Sequence, residues 1–387
     1  MPKLIVVDPC LYNKNGHEYT INLFIAKAAL QYNYDPIILC SHAFTSNPDD
    51  GMNCVPVFRN SPYDKREVSW KYDQKVIEEG NKELFAIMNQ YYPSENLPEG
   101  SMILLHTACN TMLLGLYRWI RHIDRDDIKV RIVLRWPATR RMFHKENAEK
   151  FCTRVCGMYA SIKGDIRFYA DNKGLVHYYE ALTGISFQQT PIGVHFEDIP
   201  PIPPPSNRPL RFVLAGSPRI EKGIKQILNA IEPHITSYPE DLFYIHCIET
   251  PNLAKKLEED FPNNVITNAS FLSGRPYFEF LLQADVVLIV YDKLPYHLRT
   301  SHIFIEALGL GRSVIVTKDS WMEEVLNEYE QPLGVVMSEW TTESLLEAMI
   351  EFQSKRDILL QNAYDISQHI RDTHNPHNWM KLIMKAY

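Results

Sequence analysis

Short apolar runs alternate with longer stretches of helical periodicity along nearly the whole chain. In the first half the runs predict strands at 4–8, 36–40, 54–58, 102–106, 129–136 and 166–170, with helix-like segments between most of them. Runs such as LIVVD and MILLH are apolar almost throughout, as strands are when helices cover both faces of their sheet. The alternation predicts βαβ units and a mainly parallel sheet.

The pattern breaks once, at residues 198–209, which read DIPPIPPPSNRP. Proline at this density does not fit a central strand or a helix interior; it predicts an extended, semi-rigid connector. Beyond it the alternation restarts. Strands are predicted at 210–215, 243–248, 265–268, 286–291, 313–317 and 334–337, and helices near 222–232, 252–261, 276–283, 301–310, 320–329 and 341–353. Residues 376–387 are again helical in pattern. The expected organisation is an N-terminal domain over 1–197, a linker over 198–209, a second domain over 210–372, and a C-terminal helix within 373–387 that can pack back on the first domain. The fold class is α/β, with two doubly wound domains facing a central cleft. Ligands of such sheets bind beyond the carboxyl ends of the strands.

Composition narrows the function classes. The 387 residues suit two or three domains, and 45% apolar residues suffice for ordinary cores. A net charge of −7, with acids and bases interspersed, argues against a nucleic-acid-binding protein. No segment reaches the roughly 18 apolar residues of a membrane span. The opening MPKLIVVDPC is read as a buried first strand rather than a signal peptide. The seven cysteines are odd in number and scattered, which fits free thiols in a reducing cytoplasm; Cys152 and Cys156 fit adjacent helical turns better than a zinc site. No metal site is expected, because no Asp-x-Asp and no His/Cys cluster was found.

Two segments carry candidate chemistry. In FVLAGSPRIEKG a buried strand runs into a loop bearing Gly216, Arg219 and Lys222, followed by a helix. Helix-start amides with two cations suit a diphosphate, although a solvated helix end has the same sequence. In HLRTSHIFIEALGLGRSVIVT, Thr300 or Ser301 is a plausible N-cap, and Glu306 falls on a different side from the buried face of Ile303, Phe304, Ala307 and Leu308. A carboxylate there is either an exposed helical acid or an acceptor for the two hydroxyls of a ribose.

Together with FLSGRPYFEFLLQADVVLIVYD, these segments resemble the C-terminal signature of the group 1 nucleotide-sugar glycosyltransferases, a retaining family of GT-B fold. TPIGVHFEDIPP resembles the segment leading out of that family's first domain, and NKNGHEYTINLFIAKAAL its glycine loop and first helix. The resemblance covers most of residues 1–345 and is only topological through much of 41–165. It implies two Rossmann-like domains, with acceptor contacts on the first and the nucleotide sugar on the second. It implies that Lys222 meets the donor diphosphate, that Glu306 holds the ribose, and that amides over residues 299–302, including Thr300, Ser301 and His302, cradle the phosphates. Residues 271–274, with Leu272 and Ser273, would receive the base, and Gly16 would lie near the donor phosphate and sugar. His106 would touch the donor sugar or the acceptor, with a structural strand-end histidine as the alternative. Two positions depart from the family: Ser217 stands where an arginine is usual, with Arg219 two residues on, and Leu298 stands where a glutamate contacts the donor sugar.

On the acceptor side, Arg135, Arg140, Arg141 and His144 concentrate positive charge that could attract a phosphorylated or acidic acceptor or lipid head groups, and Trp136 could stack on a sugar. A solvated basic loop and a packing tryptophan are the alternatives. The activity implied is transfer from a UDP- or GDP-type sugar donor to a glycan, lipid-linked or small-molecule hydroxyl. It would need no metal or other cofactor and no nucleic-acid partner. The expected location is cytoplasmic, with peripheral contact to the inner face of a membrane allowed. The competing readings are a catalytically inactive GT-B partner or scaffold subunit and a GT-B sugar-nucleotide epimerase.

Overall fold

In a computed structural model, residues 1–385 are described except 15, 46, 48–50, 61–72, 141–143, 197 and 204–207. Part of the proline run and Arg141 thus lie outside the described residues. The chain divides into two compact units, one of Met1–Gly193 with Pro376–Tyr387 and one of Val194–Asn375.

The first unit holds a seven-stranded sheet of β1 (Lys3–Asp8), β2 (Asp35–Ser41), β3 (Cys54–Phe58), β4 (Met102–Ala108), β5 (Lys129–Leu134), β6 (Asp165–Ala170) and β7 (Phe187–Gln189). All pairings are parallel, in the order β3-β2-β1-β4-β5-β6-β7. The apolar runs form its centre: β4 is buried over its full length, and β1 from Leu4 onward. Strand β3, which contains Pro56, lies at one edge, where a missing ladder donor is tolerated. Strand β7 at the other edge was not predicted; FQQ offers one buried residue and no β-branched run.

The second unit holds β8 (Arg211–Leu214), β9 (Leu242–His246), β10 (Val265–Asn268), β11 (Val286–Ile289), β12 (Ser313–Thr317) and β13 (Gly334–Met337), all parallel, in the order β10-β9-β8-β11-β12-β13. Chain order reverses between β1 and β4 in the first sheet and between β8 and β11 in the second. These are the topological switch points, where ligands of open parallel sheets bind. The result is two Rossmann-like units.

Several elements differ from the sequence reading. The helix expected at 222–232 runs over Ile224–Ser237 behind a separate 3-10 turn, Ile220–Lys222. Gly223 breaks the two: its φ is +73°, and a Cβ there would clash with the Val290 carbonyl oxygen. The helix expected at 341–353 extends over Thr342–Thr373. The polar run after Phe352 reads as a helix end, but Gln353 donates to the buried Asp241 carboxylate at 2.6 Å, and Leu359, Leu360, Ala363 and Ile370 continue the buried stripe.

The C-terminal helix Pro376–Met384 belongs to the first unit, whose core takes in Trp379, Met380 and Ile383. The buried Arg131 on β5 donates from Nε to the Ile383 carbonyl at 3.0 Å and from Nη2 to Asp165 Oδ2 at 2.6 Å, while Arg167 donates to the Lys385 carbonyl at 2.7 Å. Arginine donors thus occupy carbonyls at the helix end, where no backbone partner remains.

Candidate functional site

In the second unit the switch point gathers the ends of β8 and β11. Strand β8 ends at Leu214, and the loop passes through Gly216 in the left-handed region at φ +78°. A Cβ at Gly216 would lie 3.1 Å from Lys222 Nζ, so glycine allows the ammonium to fold back over the loop. Lys222 is 8% exposed. Its pKa is lowered to about 7, first by burial and then by Arg219; Arg299 acts in the same sense, against Glu221 and Glu306. Arg219 is largely exposed and pairs with Glu221 at 3.2 Å. Ser217 is half-buried.

Beyond β11 the chain forms an aromatic ladder. Lys222 Nζ sits 5.4 Å from the centre of the buried Tyr291 ring, Tyr291 packs on Tyr296 at 4.4 Å, and the Arg299 guanidinium lies 4.5 Å from the Tyr296 ring. The two segments are stitched together where the Asp292 amide donates to the Glu221 carbonyl at 2.9 Å and Trp340 Nε1 to the Val290 carbonyl at 3.0 Å. Ser301, rather than Thr300, caps the helix His302–Gly309, its hydroxyl accepting from the Phe304 amide at 3.3 Å. That helix start brings the positive end of a helix dipole to the same edge of the sheet. Leu298 is half-buried in the loop before it.

Glu306 is half-buried, and its Oε2 accepts from the Tyr277 hydroxyl at 2.8 Å. Tyr277 lies on the helix Arg275–Leu281, which follows residues 271–274 directly. Phe271 and Ser273 are exposed and Leu272 half-buried. The buried His246 at the end of β9 holds this loop, with Nε2 2.9 Å from the Ser270 carbonyl, and burial keeps its pKa below the usual histidine value. Tyr277, Tyr291 and His246 had no signal in the sequence reading. Tyr277 and Glu306 are 29 residues apart, and only the packing of two helices brings them together.

In the first unit, His106 does not end its strand, which continues to Ala108. Its side chain is 2% exposed, with Nε2 3.2 Å from Asp8 Oδ2, within ion-pair reach but not aligned as a hydrogen bond. Asp8, fully buried at the end of β1, also accepts from Asn22 Nδ2 at 2.6 Å and from the Cys10 amide at 3.0 Å. Gly16, at φ +90°, is the N-cap of the helix His17–Gln31. Arg135 pairs with the buried Asp171 at 3.3 Å, and the Arg140 guanidinium covers one face of Trp136 at 3.7 Å. That face therefore packs on an arginine, and Tyr179 donates to the Trp136 carbonyl.

The sequence does contain one Asp-x-Asp, at Asp124 and Asp126, contrary to the expectation. It precedes β5 at the amino-terminal edge of the sheet, away from the switch point, beside the pair of Arg125 with Asp127. Among the described residues no group of three or more His, Cys, Asp or Glu side chains could hold a metal, and no helix is long and apolar enough to cross a membrane.

No protein-family model matches the chain, and no curated protein matches it in sequence. Solved structures do match over the full length. Sucrose-phosphate synthase from Thermosynechococcus elongatus superposes with a TM-score of 0.67 at 11% identity, over 99% of this chain and 96% of that one. A glycosyltransferase from Rickettsia africae gives 0.67 at 12% identity, over 100% and 99%. Anabaena HepE, in complex with UDP and glucose, gives 0.66 at 9% identity, over 99% and 98%. The chain thus has the GT-B fold that its C-terminal motifs implied.

Proposed function

We propose that the protein is a glycosyltransferase that takes a sugar from a nucleoside-diphosphate donor held on the second unit. The observation that carries the reading is the buried Lys222 at the β8/β11 switch point, beside Arg219, Arg299 and the helix start capped by Ser301. A cation confined among cations, in a fold shared with a protein solved with UDP, is suited to a diphosphate. Lys222, Arg219 and the first-turn amides neutralise the charge that develops on the leaving diphosphate, a role preorganised donors perform without reorganisation. Glu306 accepts the ribose hydroxyls, residues 271–274 receive the base, and Ser217 lines the donor loop. The donor is of UDP or GDP type.

His106 and Gly16 meet the donor sugar or the acceptor hydroxyl, and Arg135, Trp136 and Arg140 lie on the acceptor side, suited to an acidic or phosphorylated glycan, lipid-linked or small-molecule hydroxyl. Transfer proceeds with retention, attack coming on the face the phosphate leaves, and without a metal. The location is cytoplasmic, with peripheral membrane contact for a lipid-linked acceptor. A thermal-shift screen of UDP, GDP and their sugars tests the donor site, since only a ligand of the native state raises the transition. One nucleotide sugar is expected to stabilise the protein and to be slowly hydrolysed without acceptor. Failure of every nucleotide to bind would reject the reading. In the same assay Lys222→Ala is expected to cut turnover at least about tenfold; unchanged turnover would remove Lys222 from the mechanism.

A further inference from the structure

Glu306 is a long side chain on the second turn of its helix, with three torsions to fix before its carboxylate can meet two hydroxyls at once. Such a group recognises geometry only when a second contact holds it. The structure supplies that contact from a different helix: the Tyr277 hydroxyl donates to Glu306 Oε2 at 2.8 Å. The Tyr277 phenol is held well above its usual pKa, first by burial and then by the Glu306 carboxylate, so it stays a proton donor across the physiological range. The tyrosine is itself anchored, its ring packing edge-on against buried Phe278 at 5.6 Å. It stands three residues beyond Gly274, the last residue of the loop assigned to the base, and Gly274 starts its helix with φ +55°.

We propose that Tyr277 is a positioning residue for donor specificity, holding the Glu306 carboxylate in the orientation that reads the ribose hydroxyls and tying that orientation to the base-receiving loop. The inference rests on the donor reading above. Its consequence is confined to sugar discrimination within the nucleotide. A site built to bond a hydroxyl rejects the analogue lacking it only when its own polar group is held in place. On this assignment Tyr277 acts on the nucleotide through Glu306.

The test is calorimetric titration of the full-length protein with UDP, GDP and their 2′-deoxy counterparts. The wild type is expected to prefer the ribonucleotide by at least about tenfold. Tyr277→Phe, with circular dichroism and thermal transition checked, is expected to reduce that preference to within about threefold. Lys222→Ala weakens both nucleotides alike and leaves the ratio intact. Glu306→Gln removes the preference, and adding Tyr277→Phe to it changes the ratio no further, because the tyrosine acts through the glutamate. Should the phenylalanine variant fail to fold, Tyr277→Met deletes the same hydroxyl from a more adaptable side chain and must give the same ratio. A Tyr277 variant that keeps the full preference, or weakens both nucleotides equally, overturns the inference while the donor reading stands. Wild-type protein that binds the nucleotides without regard to the 2′-hydroxyl removes the ribose role of Glu306 and this inference with it; wild-type protein that binds none rejects the donor reading too.

Discussion

At Lys222 the stability of the free protein and the proposed donor contact depend on the same buried ammonium. Its pKa is lowered to about 7, chiefly by burial, so the unfolded chain binds more protons than the folded one from about pH 7 up to the ordinary lysine value. In the ligand-free protein this contribution therefore rises with pH across that window, and the cost of the buried charge is fully present below it. A diphosphate reverses the preference by favouring the ammonium. At pH 8, calorimetry in two buffers of different ionisation enthalpy is expected to show proton uptake on nucleotide binding, with affinity falling as pH rises further. Lys222→Met is expected to abolish the proton uptake and to raise the transition temperature of the free protein, since it removes a poorly compensated buried charge. Glu306 and Lys222 are candidates from the sequence because each stands in a local motif. The Tyr277 contact was not, because hydrogen bonds across 29 residues leave no spacing to read.

Two elements show how small geometric requirements hold the site. Gly223 separates the 3-10 turn from its following helix, at φ +73° and against the Val290 carbonyl. Gly223→Ala is expected to push the Ile220–Lys222 turn away from β11 and to cost about 2 kcal/mol or more, measured by denaturant unfolding, with nucleotide binding lost in parallel. The C-terminal helix is a second case. Its pattern was visible and allowed it to pack back on the first domain, where it lies, but the contact with Arg131 was not legible, since Arg131 lies 252 residues from the carbonyl it binds. Deleting residues from Pro376 onward strips Trp379, Met380 and Ile383 from the first unit's core and leaves the buried Arg131 short of an acceptor. At about 1.5–3 kcal/mol per buried side chain, the loss is several kcal/mol, and the thermal transition of the first unit is expected to fall sharply while the second unit still binds nucleotide.

At the scale of the molecule, the two sheets repeat one arrangement, each reversing chain order beside its first strand. Some of the buried polar groups lie at these switch points. Asp8 and His106 lie at the end of β1 and within β4, and Lys222, Tyr291 and Ser301 follow β8 and β11. Saturating nucleotide is expected to stabilise the native protein by RT ln(1 + [L]/Kd), about 2.7 kcal/mol at a hundredfold excess over Kd. The increment should be carried by the transition that Gly223→Ala lowers; a nucleotide effect confined to the first unit would place the donor elsewhere.

The sequence alone determined the alternation of strand and helix and the parallel α/β class, and it singled out Lys222 and Glu306 as candidates, because periodicity and glycine-punctuated turns are local properties. Its misses were elements whose stability comes from elsewhere in the chain: the edge strand β7, the continuation of the helix Thr342–Thr373, and the break at Gly223. Tertiary structure alone decided that Arg140 covers Trp136, that Asp8 faces His106, that burial and neighbouring cations lower the pKa of Lys222, and that Tyr277 holds Glu306. Each of these depends on what packs against a side chain, and the order of residues along the chain does not carry that information.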